Sequence, residues 1–169
     1  MDMSLVQDIA ILKNIPMLAD FQDDQLRLLA FSAESLDYTG GQTLFDEGER
    51  ADGGLVVAEG TVSLQKRTGG GFEEVDIAAP GTLLGETAML VDTRRPCRAI
   101  AQTDVRIIRI RRALFKRMIQ EYPDLARRLF DVQAQRYQTT VRALEPIGRK
   151  MAELEKIATL KGLRGSQDN

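Results

Sequence analysis

The stretch LLGETAMLVDTRRPCRA, Leu83 to Ala99, decides the reading of this chain. It opens on a Gly-Glu pair. A short apolar run follows, long enough for one or two helical turns, then a tight polar loop and Arg95. Gly85 has no side chain, so backbone there can approach a ligand closely. The amides of Thr87, Ala88 and Met89 stand at the start of a short helix, where N–H groups lack partners and attract anions. Arg95 offers a planar, two-pronged donor that neutralises one negative charge. Glu86 would repel an anion, so its carboxylate calls for a hydroxyl donor such as a ribose. Together these residues suit a small phosphorylated sugar.

Outward from this stretch, the chain reads as short strands broken by glycine. Before it, Leu36 to Thr39, Thr43 to Phe45, Leu55 to Ala58, Thr61 to Gln65 and Glu74 to Ala78 are strand-like. Gly40-Gly41, Glu47-Gly48, Gly53-Gly54, Glu59-Gly60 and Gly69-Gly70-Gly71 mark turns. The triple glycine reads as a hairpin tip, with a nucleotide-cradling role as the sharper alternative. After the stretch, Arg98 to Gln102 and Val105 to Arg111 resume alternation. There Val105, Ile107 and Ile110 face the core, and Arg106, Arg109 and Arg111 face water as a solvated edge that blocks aggregation.

Helices flank the strands. Leu5 to Lys13 has near-helical apolar spacing, interrupted by Pro16, and caps at 20–23 precede a second helix through Leu26, Leu29 and Phe31. Ala113 to Tyr122 forms a helix stopped by Pro123, and Asp124 caps the next, which runs to about Leu144. Phe130, Tyr137, Leu144 and Met151 recur every seven residues, with Ile147 and Leu154 three beyond the last two. This partial seam packs within its own domain or pairs with a second copy, so a homodimer is one expected partner. Pro146 breaks or kinks the helix.

The expected fold is α+β: an antiparallel β-roll, jelly-roll-like, between N-terminal helices and a long C-terminal helix. Its parts are a helical element at 1–33, the roll at 34–111 with the decisive stretch at 83–99, hinge and C-terminal helices at 112–145, and a short helix with a disordered tail at 146–169.

The stretch resembles the phosphate-binding cassette of cyclic-nucleotide-binding domains, the superfamily of the catabolite activator protein and the protein kinase A regulatory subunits. Gly85 and Glu86 match its opening, Ala88, Met89 and Leu90 its apolar helix, and Arg95 falls nine residues after the glutamate. GQTLFDEGERADGGLVVAEGTVSL, Gly41 to Leu64, is similar to the family's first roll strands. RAIAQTDVRIIRIRRALFKRMIQEYPDLARRL, Arg98 to Leu129, is similar to its last strands and hinge. The resemblance implies that Gly85, Glu86, Thr87, Ala88, Arg95, Pro96 and Cys97 hold the nucleotide. It selects Arg95 over Arg94 and Arg98; in a regular roll Arg98 starts the next strand and is solvated. It also implies that the C-terminal helix closes over the base, capped by Arg136, Tyr137, Val141 or Leu144.

Two positions depart from the family. Pro96 follows the key arginine and has neither N–H nor hydroxyl. A donor is lost, and the threonine that favours cGMP is missing, so cAMP is the better ligand and cGMP the second choice. Cys97 stands where the family often has alanine and reads as a small buried thiol.

Composition limits the chemistry. The 169 residues, 43% apolar and 28% charged, suffice for one domain with a core. The net charge of −2 points to neither nucleic acid nor an anionic membrane. There is no histidine and one cysteine, which removes His-based catalysis, zinc sites and internal disulfides. A binding module in a reducing, cytoplasmic compartment is expected, not an enzyme, and no metal. No apolar run is long enough to span a membrane, and the acidic start does not read as a signal peptide. Only 23 residues follow Pro146, without the spacing of a helix-turn-helix. A stand-alone, bacterial-type module acting through an unidentified protein effector is therefore expected. The alternative is a scaffold that keeps the roll, binds no nucleotide and assembles through the C-terminal helix. DNA binding rests on the arginine count alone.

Overall fold

A computed structural model describes residues 3–129 and 131. The chain divides into two compact units, Met1–Ala126 and Arg127–Asn169, and everything below lies in the first. The heptad-like seam from Phe130 to Met151, Ile147, Leu154, Pro146, the four base-capping candidates and the tail fall outside the described residues.

The N-terminal pair forms as the apolar spacing demands. Helix α1 is Met3–Lys13, a short 3-10 turn follows at Pro16–Leu18, and α2 is Asp23–Ser32. The cap of α2 is a side-chain exchange: Gln22 N–H donates to Gln25 Oε1 at 2.9 Å, and Gln25 reciprocates in a capping box. Asp23 and Asp24 in the first turn suit the positive end of the helix dipole.

Ten strands follow: β1 Glu34–Tyr38, β2 Thr43–Phe45, β3 Arg50–Ala51, β4 Gly53–Glu59, β5 Val62–Thr68, β6 Gly71–Ala78, β7 Leu83–Leu84, β8 Thr93–Arg94, β9 Arg98–Ala101 and β10 Val105–Arg111. All pairings are antiparallel, in two four-stranded sheets ordered β1-β10-β4-β7 and β2-β9-β5-β6, with a small β3-β8 ribbon. Inward side chains of both sheets meet in one core, including Phe45, Leu55, Val57, Val62, Ala99 and Ile107. The expected α+β roll is the observed architecture.

Helix α3, Arg112–Glu121, ends at Tyr122, whose non-helical backbone (φ −125°, ψ 78°) reflects the following proline, which disfavours helical geometry in the residue before it. Helical backbone resumes at Pro123 itself, where a missing N–H costs nothing, so Asp124 lies inside the first turn and not at its cap. Phe21 stacks on Phe115 of α3 with centroids 6.1 Å apart, joining the N-terminal element to that helix.

Three expectations need correction. Gly53-Gly54 is not a turn: both residues begin β4 and are buried. A Cβ on Gly53 would overlap the Ile110 carbonyl, and one on Gly54 would stand 2.7 Å from Met89 Sδ. Close approach of neighbouring chain, not chain reversal, requires these glycines.

Strand β10 is not an edge. It lies between β1 and β4, and Ile108 is buried with Val105, Ile107 and Ile110. Its arginines are paired: Arg106 with Asp8 of α1 at 2.9 Å and Glu59 at 3.2 Å, Arg109 with Asp52 and Glu34, Arg111 with Glu34. The Arg106–Asp8 pair is largely buried and ties α1 to the roll.

Arg98 is not solvated. Its guanidinium lies 4.0 Å from the centroid of the Phe72 ring, and its Nε is buried. Phe72 stands beside Gly71, whose φ of +131° closes the β5-β6 hairpin. The triple glycine is thus a hairpin tip, open to solvent on the evidence of its empty surroundings.

Candidate functional site

The stretch from 83 to 99 forms one side of a cleft. Strand β7 pairs with β4 and delivers the chain to Gly85, whose φ of +85° suits only glycine without strain. A Cβ there would also overlap Arg95 Nη1. Thr87–Met89 then makes a single 3-10 turn, with Ala88 and Met89 buried as its anchor. Within it Met89 N–H donates to Glu86 O at 3.2 Å. The expectation of three unpartnered amides is therefore corrected at Met89, which is already engaged. Leu90 and Val91 N–H both donate to Thr87 O, at 3.1 and 3.0 Å, and tighten the turn.

The arginine is held by its backbone. Arg95 N–H donates to Glu49 O and Arg95 O accepts from Gly48 N–H, both at 2.8 Å. Its side chain turns inward and is 7% exposed, the most deeply buried arginine among the described residues. The guanidinium stacks 4.5 Å from the centroid of Phe45. Its Nη1 is buried and has no hydrogen-bond partner. Burial pushes the Arg95 pKa down, against the opposing pull of the Asp52 and Glu49 carboxylates.

The three arginines of the segment are sorted by the fold. Arg94 sits exposed at the rim and donates to Gly48 O at 2.9 Å. Arg98 turns to Phe72. Arg95 Nη1 and Arg98 Nε are both buried without a partner, and of the two only Arg95 Nη1 lies beside Gly85.

Gly85, Glu86, Thr87, Ala88, Arg95, Pro96 and Cys97 all line one cleft of about 400 Å³. Its apolar wall comes from Phe45, Leu64, Leu83 and Leu84. Polar groups of the cassette and these apolar side chains thus line the same cleft, which offers a surface for a flat ring. Cys97 is 9% exposed, and burial pushes its thiol pKa up, against the nearby Lys66 charge. A neutral, sheltered thiol is a packing group and not a nucleophile.

A second cleft of about 490 Å³ shares Phe45, Ala51 and Arg95 with the first. It is lined by both signs of charge, including Glu49, Asp52, Arg109 and Arg112, of which Arg109 and Asp52 form an ion pair. The smaller cleft is the better candidate because it joins Arg95 to Gly85 and the turn at Glu86, Thr87 and Ala88, none of which lines the larger one. Among the described residues no group of three or more His, Cys, Asp or Glu gathers as a metal site, and no helix is long and apolar enough to cross a membrane.

Phe45 and Leu64 were not singled out from the sequence. Their alternation marks them as inward strand residues, but nothing local says that they face a cleft.

Comparison with known proteins agrees with this geometry. Residues 35–122 match the cyclic nucleotide-binding domain family model. The chain is 29% identical over 125 residues to the cAMP-dependent protein kinase regulatory subunit of Aspergillus fumigatus, covering 70% of this chain and 28% of that protein. It is similar to a cyclic nucleotide-binding-like protein from Brucella abortus, at 37% identity and a TM-score of 0.64, over 67% of this chain and 97% of the other. The N-terminal domain of a transcriptional regulator from Streptomyces coelicolor aligns at 27% identity and a TM-score of 0.72, over 77% and 94%. The chain thus spans a little over a quarter of its curated kinase-subunit relative and nearly the whole of the isolated domains. Cassette, roll and family match converge: the chain belongs to the cyclic nucleotide-binding domain family.

Proposed function

We propose that the cleft binds a cyclic nucleotide, cAMP in preference to cGMP, and that the chain is a regulatory module, not an enzyme. The single observation that carries this is Arg95: a buried guanidinium whose Nη1 has no partner, beside a glycine with room for nothing else. Such a donor is costly to leave unmet, and a phosphate oxygen meets it with charge as well as geometry. The Gly85-to-Ala88 backbone and Glu86 would hold phosphate and ribose, and the Leu64, Leu83 and Leu84 wall would face the base. The preference for cAMP rests on Pro96, which supplies no hydroxyl for guanine, and agrees with the naming of the fungal relative.

We propose further that binding repositions the C-terminal helical segment after Pro123, and that the output passes to a protein effector, with a homodimer through that segment as one form. Calorimetric titration with cAMP and cGMP tests the ligand. Wild type should bind cAMP more tightly, and Arg95→Ala should weaken it by a factor of about 30 or more, the loss expected for a desolvated charge pair. Absence of heat with either nucleotide, in folded protein freed of carried-over ligand, would sink the sensor reading. It would favour the scaffold reading, for which the observation is again Pro96, a donor missing at the phosphate.

A further inference from the structure

We infer that Arg112 is the positioning residue through which occupancy of the cleft reaches α3. The trigger in this inference rests on the nucleotide-binding reading above; the mechanical link does not.

Arg112 is the first residue of α3. Its backbone N–H donates to Asp52 O at 2.7 Å, which continues the β10-β4 contact into the helix. Its guanidinium reaches the other way. Nη1 lies 3.1 Å from Ala51 O, 3.0 Å from Val91 O and 3.3 Å from Ala88 O. Nη2 stands 3.9 Å from Asp92, whose carboxylate is already engaged by Arg50 at 2.6 Å. One side chain therefore joins three pieces of the molecule: strand β3 through Ala51, the cassette turn through Ala88 and Val91, and α3 through its own backbone.

The chemistry of the join is specific. Carbonyls at the C-terminal end of a helical turn lack intrahelical partners and carry partial negative charge, and a cation there satisfies both deficits. Nη1 bears only two hydrogens, so three carbonyls share two donors. The sharing is sensitive to position. A small shift of the turn away from β3 strengthens some of these bonds and weakens others, and Arg112 must follow the turn or release it.

The turn can transmit such a shift because it is short and stiff. Met89 is fully buried against Gly54, and Leu90 and Val91 are hydrogen-bonded to Thr87. A ligand held by Gly85, Thr87 and Arg95 draws on one end of this unit, and Arg112 holds the other. The contiguous path from cleft to α3 is thus turn, carbonyls, guanidinium, helix.

Hydrogen exchange on the full chain tests this, with cAMP as the probe and two variants. Arg112→Met keeps the side-chain length and removes every donor; Arg112→Lys keeps the charge and removes the fork. In the unliganded protein, Arg112→Met should speed exchange at Leu90 and Val91 by about tenfold or more, and the first turn of α3 should loosen with it. In wild type, cAMP should protect both 85–92 and 113–121. In Arg112→Met it should still protect 85–92, while the response of 113–121 falls at least about fivefold, the low end of typical allosteric couplings. Arg112→Lys should lie between. Unchanged exchange at Leu90 and Val91 in the unliganded variant overturns the inference, as does an undiminished α3 response to cAMP. If cAMP protects nothing in wild type, the nucleotide reading fails alone, and the unliganded comparison still decides the role of Arg112. If Arg112→Met does not fold, Arg112→Lys carries the same comparison with the same refuting outcomes.

Discussion

Replacing Arg95 by methionine should stabilise the unliganded protein and sharply reduce its response to nucleotide. The reasoning starts from the buried Nη1 that has no partner. A buried donor left unmet costs about 1–3 kcal/mol. Methionine matches the length of the stem and brings no donor. The substitution forfeits the stacking of the guanidinium on Phe45, worth about 0.5–2 kcal/mol when desolvated. A thioether against the same ring returns about 0.3–1.5 kcal/mol. The main-chain bonds of residue 95 to Glu49 and Gly48 do not depend on the side chain and remain. The balance is a gain of about 1 kcal/mol, or about 2–4 °C in Tm for a domain of this size. Thermal melts with and without cAMP read both halves of the prediction. At a hundredfold excess over the wild-type Kd, wild type should gain about 2.7 kcal/mol from the ligand, and the variant less than about 1 kcal/mol. A variant destabilised by more than about 1 kcal/mol would show that the guanidinium is satisfied in the free protein. A variant stabilised by cAMP as much as wild type would show that Arg95 does not hold the phosphate. Either result refutes the reasoning.

Other consequences can be checked directly. Gly85→Ala forces a left-handed backbone on a residue with a Cβ, at about 1–2 kcal/mol, and pushes the Arg95 guanidinium aside; urea unfolding should show the loss, and titration a weakened ligand. Pro96→Ala restores a backbone donor next to Arg95 and should tighten cAMP binding by up to about tenfold; unchanged affinity would mean that the amide points away from the phosphate. Asp8→Ala leaves Arg106 with the exposed Glu59 as its remaining acid partner and should cost about 3 kcal/mol in urea unfolding; a loss under about 1 kcal/mol would make the pair incidental. The Cys97 thiol is held above the usual range by burial, so it stays neutral at pH 7. Iodoacetamide should label it slowly there, faster only as the pH climbs past that of an ordinary thiol, and more slowly still with cAMP bound; rapid labelling at pH 7 would contradict its burial.

Much of this could be read along the chain because it depends on neighbours in sequence. Helix α1, the limits of β2 and β10, and the Gly85-Glu86 opening are local patterns of apolar period, capping and backbone freedom. Short strands such as β3, β7 and β8, each two residues long, leave no period to detect and exist only because a partner strand is present. Gly53-Gly54 carried a turn signature, but crowding by Ile110 and Met89, distant in sequence, put it inside a strand. The arginines of β10 alternated like surface residues, yet acids from α1, β1 and β4 and Asp52 between β3 and β4 converge on them.

The sequence by itself determined that a Gly-Glu segment with an arginine nine residues on sits in an antiparallel roll, since spacing from Gly85 to Arg95 and the rhythm of strands and glycines are properties of the chain alone. Only the tertiary structure decided which charges were spent. Arg94, Arg109 and Arg112 are engaged by carbonyls or carboxylates brought from afar, whereas Arg95, Arg98 and Arg106 each keep one buried donor without a partner, and only that of Arg95 lies beside Gly85 at the cleft. That distinction depends on distance in space: identical side chains differ in availability because folding decides which of them face a partner and which face the cleft.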